Sequence, residues 1–124
     1  MEVYRKIVHV ESGRVLVERA RWCNSFTSKL RGFLFERTLD DGEGLVLVEK
    51  RDSRMNTTIH MLFVFVELGV VWVNGDGEVV DAARARPWRL SYTPQAPARY
   101  VIETHPDVLH EVTVGDHVRF EIPE

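Results

Sequence analysis

Met61-Leu62-Phe63-Val64-Phe65-Val66-Glu67-Leu68-Gly69-Val70-Val71-Trp72-Val73-Asn74-Gly75-Asp76-Gly77-Glu78-Val79-Val80 is the stretch on which the fold turns. Residues 61–73 are almost all apolar, too long a run for one flat strand, and Gly69 interrupts it. That pattern predicts either one strand with a bulge at the glycine or two strands over 61–66 and 69–74. Asn74-Gly75-Asp76-Gly77 supplies residues that tolerate φ > 0, with apolar residues on both sides. The spacing therefore predicts an antiparallel hairpin, one strand ending near 73 and the next starting near 78.

The same period of two extends in both directions. Residues 3–10 and 14–22 are strand candidates around a Glu11-Ser12-Gly13 turn; in the second, Leu16, Ala20 and Trp22 share one face, with Val15 and Val17 opposite. Asn24 or Ser25 can cap a short helix near 25–31, with Gly32 as its stop. Asp40-Asp41-Gly42 reads as a turn into the apolar strand 44–48. Pro87, Pro94 and Pro97 keep residues 84–98 out of a central strand, and 99–104 and 117–122 read as the last strands. The expected architecture is mainly β. It is a single-domain sandwich or partly open barrel of about seven or eight short antiparallel strands with one short helix.

Composition sets the outer bounds. A chain of 124 residues, 44% apolar and 28% charged, is one domain with an ordinary core, so residues 1–124 are read as a single unit. Cys23 is the only cysteine, which rules out an intrachain disulfide and a cysteine metal cage. Beside Trp22 it reads as a packed thiol whose replacement by serine is tolerated. The N-terminal Met-Glu-Val-Tyr-Arg-Lys lacks a signal-peptide apolar region, and no run reaches a membrane span, so a soluble cytoplasmic protein without membrane partners is expected. The arginine-heavy charge set is compatible with a thermophilic source.

The net charge of −3 is unevenly spread: the segment between Asp81 and Glu103 holds Arg84, Arg86, Arg89 and Arg99 and no acid, which leaves −7 for the rest. Nucleic acid is an improbable partner for such a chain, because its overall charge is acidic and its basic footprint small. Arg84, Arg86 and Arg89 do offer fork-shaped donors for carboxylate or phosphate, with Trp88 between them as a flat apolar face. The reading competes with a plainer one, in which Trp88 is the buried anchor of a proline-bounded loop. His60, between Asn56-Thr57-Thr58 and the apolar run, is the one candidate for general acid/base work. The expectation is that its ring is buried and bonded to that polar run. Arg31, Arg54, Asn56 and Thr58 complete the candidate ligand-binding set with His60, Arg84, Arg86, Trp88 and Arg89. No histidine pair or carboxylate-rich loop has metal-ligand spacing, so no metal and no cofactor is expected.

Several segments, taken in order, resemble the domain-of-unknown-function 192 family of bacteria and archaea. Arg31-Gly32-Phe33-Leu34-Phe35 is similar to its R-G-L-M-F segment and Gly44-Leu45-Val46-Leu47 to its G-M-L-F strand. Ile59-His60-Met61, the apolar run and Asn74-Gly75-Asp76-Gly77 resemble its central core. Pro97-Ala98-Arg99-Tyr100-Val101-Ile102-Glu103 resembles its A-x-Y-V-L-E strand and Gly115-Asp116 its closing G-D. The resemblance spans residues 14–121. It implies a compact, mostly β single domain and brings no activity, substrate or cofactor. The chain departs from the pattern at Arg54-Met55-Asn56-Thr57-Thr58, where relatives have W-M-K-N-T, and at Glu67 and Gly69, where they have proline and aspartate. Two classes of function remain in play: a non-catalytic module for a small anionic or carbohydrate-like ligand or an acidic partner surface, and a hydrolase- or isomerase-like enzyme using His60.

Overall fold

The computed structural model describes residues 3–25 and 42–123. The short helix expected near 25–31, Arg31 and the Asp40-Asp41 turn lie outside or at the edge of these residues. Within them the chain forms β1 (Tyr4–His9), β2 (Val15–Cys23), β3 (Glu43–Ser53), β4 (Leu68–Val73), β5 (Val79–Ala85), β6 (Ala98–Thr104), a 3-10 turn (Pro106–His110) and β7 (Val118–Glu121). All seven strands join one sheet in the order β5-β4-β6-β3-β2-β1-β7. Every pairing is antiparallel except that of β2 with β3, which is parallel.

The sheet curls until its two edges meet at one end. Glu78 bridges His117, Val79 N–H donates to Asp116 O (2.8 Å), and Val118 N–H donates to Gly77 O (2.9 Å). Edge strands left open invite foreign pairing, and partial closure removes much of that hazard. The result is the partly open barrel.

The hairpin that opened the sequence reading forms where expected. Asn74 N–H donates to Glu78 O (2.9 Å) and Gly77 N–H to Asn74 O (3.0 Å), while the Asn74 side chain accepts from the N–H groups of Asp76 and Glu78. Gly77 takes the positive φ of 85°. Gly69 has a different reason to be glycine: a Cβ there would lie 2.6 Å from Val108 Cγ1 and 2.9 Å from His105 O. The 3-10 turn rests directly on β4 at that point.

Two expectations are corrected. The run 61–73 yields only one strand, beginning at Leu68; residues 61–67 leave the sheet and fold over it. In β2 a register irregularity between the Arg5–Ala20 and Ile7–Val17 pairs lets Val17 join Ala20 on the inner face, not Val15 on the other. One extra residue in a bulge reverses the side-chain phase beyond it.

The sheet separates two apolar clusters. The inner one, closed by the 3-10 turn and β7, contains Ile7, Val17, Ala20, Val46, Val71, Val73, Val79, Ile102, Val108 and Val118. Trp22, Tyr100 and Phe120 pack ring against ring at its margin, with centroids 4.9–5.8 Å apart. The outer cluster combines Cys23, Leu45, Leu68, Val70, Trp72 and Val101 from the sheet with Ile59, Met61 and Val64 from the covering segment.

Candidate functional site

The covering segment is half of a two-stranded ribbon. Residues 54–61 run antiparallel to 88–94, tied by Ile59 N–H to Tyr92 O (3.0 Å), Tyr92 N–H to Ile59 O (2.8 Å) and Met61 N–H to Arg89 O (2.8 Å). Side-chain bonds extend the ladder: Arg54 Nε–H donates to Pro94 O (2.9 Å), and the Thr58 and Thr93 hydroxyls meet at 3.0 Å. One buried donor fastens the ribbon to the sheet. The Trp72 indole N–H donates to Thr57 O at 2.8 Å, and Trp72 itself is wholly enclosed.

The ribbon carries Arg54, Asn56, Thr58 and His60 along one strand and Trp88 and Arg89 on the other, with Arg86 just before it. Arg84 lies at its edge, paired with Glu67 at 2.9 Å in a solvent-exposed contact that adds little stability. Arg86 and Arg89 are exposed, and among the described residues neither forms an ion pair.

His60 does not sit as expected. Ile59 and Met61 occupy the inward phase of the ribbon, at 7% and 0% exposure, so strand-like alternation turns the His60 ring outward. Its Nδ1 accepts from Leu62 N–H (3.2 Å), which leaves the proton on Nε2 in the neutral ring. Among the described residues no carboxylate bonds it.

Trp88 is not a buried anchor either; it is 48% exposed. Pro87 and Trp88 are the central pair of a turn closed by Arg89 N–H to Arg86 O (3.4 Å), and Trp88 has φ +68°. Proline followed by a positive-φ residue is the type II pattern, in which the second place ordinarily belongs to glycine. A second turn faces it. Val64 N–H donates to Met61 O (3.2 Å), and Phe63, again in the glycine place, has φ +61°. Met61 O also accepts from Trp88 N–H (2.7 Å), so one carbonyl joins both turns. The Phe63 and Trp88 rings meet edge to face at 5.1 Å, and Phe65 touches Trp88 at 5.5 Å. Among the described residues Phe63 and Trp88 are the two non-glycine positions with positive φ. Each such conformation costs on the order of 1–3 kcal/mol and survives only where the surroundings impose it.

Sequence reasoning missed two further groups. His9 is buried, with Nδ1 2.6 Å from Ser12 Oγ and Nε2 2.8 Å from Asp116 Oδ2. Beside it Glu11 accepts from the backbone and ring of His117 (2.9 and 2.8 Å). Those bonds hold Glu11 well down, to about 2, and push His117 up; the His9 contact lowers Asp116. Ligand atoms of His9, Glu11 and Asp116 lie within 4.8 Å of one another, a donor set suited to a divalent cation, but His9 is already bonded to Asp116 and Glu11 to His117, contacts that clasp the barrel seam. The second group is Glu103 on β6. Its signal was available: a glutamate in a strand where both phases are otherwise buried.

With this geometry in place, comparison with known proteins is informative. The sequence model of the DUF192 family, described as uncharacterized ACR, matches residues 7–120. The chain belongs to that family. A UPF0127 protein of Thermococcus sibiricus is 32% identical over 120 residues, covering 95% of this chain and 76% of the relative. A UPF0127 protein of Pyrococcus furiosus is 28% identical over 92% of this chain and 97% of its own length. The fold recurs in a Sinorhizobium meliloti structure named as a candidate transcription regulator, with TM-score 0.80 and 15% identity over 97% of this chain and 94% of that one. At that identity the likeness concerns the fold alone. No described helix is long and apolar enough to cross a membrane.

Proposed function

We propose that the ribbon of residues 54–63 and 84–94 is a binding surface for a small ligand or partner group that joins a carboxylate or phosphate to a flat apolar or sugar-like face. One observation carries the reading. Two large aromatic residues are held in turn positions that favour glycine, side by side and half exposed, next to arginines without acidic partners. Strained backbone that displays a ring to solvent is costly for a purely structural turn, and it is where ligand contacts concentrate. The guanidinium forks of Arg86 and Arg89 supply bidentate donors for the anion. The Phe63–Trp88 shelf supplies the stacking face.

A catalytic role for His60 has less support, because a general base needs an orienting partner and His60 bonds only a backbone N–H. A thermal-shift screen of anionic metabolites and sugar phosphates tests the binding reading. Compounds that raise the melting temperature of the wild type should lose that effect in Arg86→Ala/Arg89→Ala. Hits that stabilise this double variant equally well would refute it.

A further inference from the structure

Glu103 occupies the middle of the sheet. Its cross-strand row reads Arg21, Leu45, Glu103, Val70 and Ala83, and Leu45 and Val70 place that row on the outer face. The residue is 7% exposed, and burial pushes its carboxyl up to about 7 against the opposing pull of Arg21. Arg21 stands two strands away, about 10 Å by ordinary strand spacing. Among the described residues the Glu103 carboxyl makes no hydrogen bond and no ion pair. Every fully enclosed side-chain nitrogen or oxygen among the described residues has a partner, so the Glu103 oxygens keep an opening to solvent.

A carboxylate taken out of water and left unbonded is among the more expensive arrangements in a protein interior. Such exceptions call for a specific reason. We propose that Glu103 is the floor of a second binding site on the outer face, which takes an N–H donor — an amine or amide group — carried on a short apolar stem. Above pH 7, where Glu103 is ionised, the carboxylate only accepts, which selects a donor. Leu45, Val70 and Val101 around it are apolar and enclosed, so beyond the carboxyl they offer the ligand no polar partner and an apolar stem suits the site. Its ligand has the opposite polarity to the anion proposed for the ribbon.

The test uses protein labelled with carbon-13 at glutamate side chains, titrated with n-propylammonium chloride and separately with propionamide. A saturable shift of the Glu103 carboxyl resonance with either probe, absent for the exposed glutamates, is the expected result. The ammonium arm responding alone assigns a cationic ligand, and the amide arm alone a neutral one. Glu103→Met should abolish saturable binding measured by calorimetry. No saturable shift with either probe, or equal binding by Glu103→Met, overturns the proposal; if that variant fails to fold, the wild-type titration decides by itself.

Discussion

Ile102 and Glu103 are adjacent in β6, yet one points into the closed interior of the barrel and the other onto the face that the ribbon partly covers. Inside, the buried cluster is apolar, its buried polar neighbours Thr104 and His9 are hydrogen-bonded, and aromatic packing seals its margin. Outside, the same sheet carries an unbonded carboxylate, a ribbon held by one indole hydrogen bond and two strained aromatic turns. Both faces bury apolar surface, but only the outer one retains features that cost stability. That asymmetry is what supports placing the proposed binding surface on the outer face.

The largest effect should come from cutting the link between the sheet and the ribbon. Trp72→Ala removes a fully buried ring and the bond to Thr57, and should cost about 3–5 kcal/mol in denaturant unfolding. Amide exchange should then accelerate selectively at 57–61 and 88–92. Ile102→Ala, at about 2–5 kcal/mol, should leave those amides protected below the global limit. Equal loosening of the ribbon in both variants would erase the distinction.

Glu103 gives the next effect. Its carboxyl is raised from 4.5 to about 7 in the folded state, so between those values the unfolded chain ionises while the folded one keeps its proton. Stability therefore falls as pH rises through that window and levels off above it. The stability of Glu103→Met relative to wild type should be about 3 kcal/mol more favourable at pH 8 than at pH 4. A difference independent of pH would mean that the carboxyl is not desolvated.

A smaller effect isolates the backbone strain. At Trp88, glycine accepts the positive φ and alanine does not, so Trp88→Gly should be about 1 kcal/mol more stable than Trp88→Ala. In ordinary extended or helical positions that order reverses.

The seam should show the weakest dependence. Glu11 is lowered to about 2 and Asp116 is also lowered, so their contributions are present above about 4.5 and 3.8 and fade as pH falls below. His117 is raised, so its contribution is complete below 6.5 and fades above it. Glu11→Gln/His117→Gln should thus lose most relative to wild type between those limits, a modest loss because both groups are exposed. A loss that grows steadily above pH 7 would contradict the assignment.

Much of the fold was legible because hairpin chemistry is local. Asn74-Gly75-Asp76-Gly77 specifies its own turn, and the apolar alternation on either side specifies the strands. Where the reading failed, a distant contact decided. Nothing within residues 61–67 says that they leave the sheet to cover Trp72, and nothing near Val17 announces the irregularity opposite Ile7. The candidate residues were partly legible: Arg54, Thr58 and His60 do lie along one strand of the ribbon, and Trp88 and Arg89 on the other. Their postures were not, since His60 faces outward only because Ile59 and Met61 face inward, and Trp88 is displayed by a turn that its own side chain disfavours. The His9–Asp116 contact joins residues 107 positions apart, and no local pattern encodes it.

The central claim, that the ribbon is the binding surface, is tested most directly by mapping amide chemical shifts during titration with phenyl phosphate, which combines an anion with a flat ring. The account predicts saturable shifts centred on Phe63, Arg86, Trp88 and Arg89, lost in Arg86→Ala/Arg89→Ala while the rest of the spectrum is unchanged. Shifts that centre on the seam or the inner face, or that persist in the double variant, would contradict it.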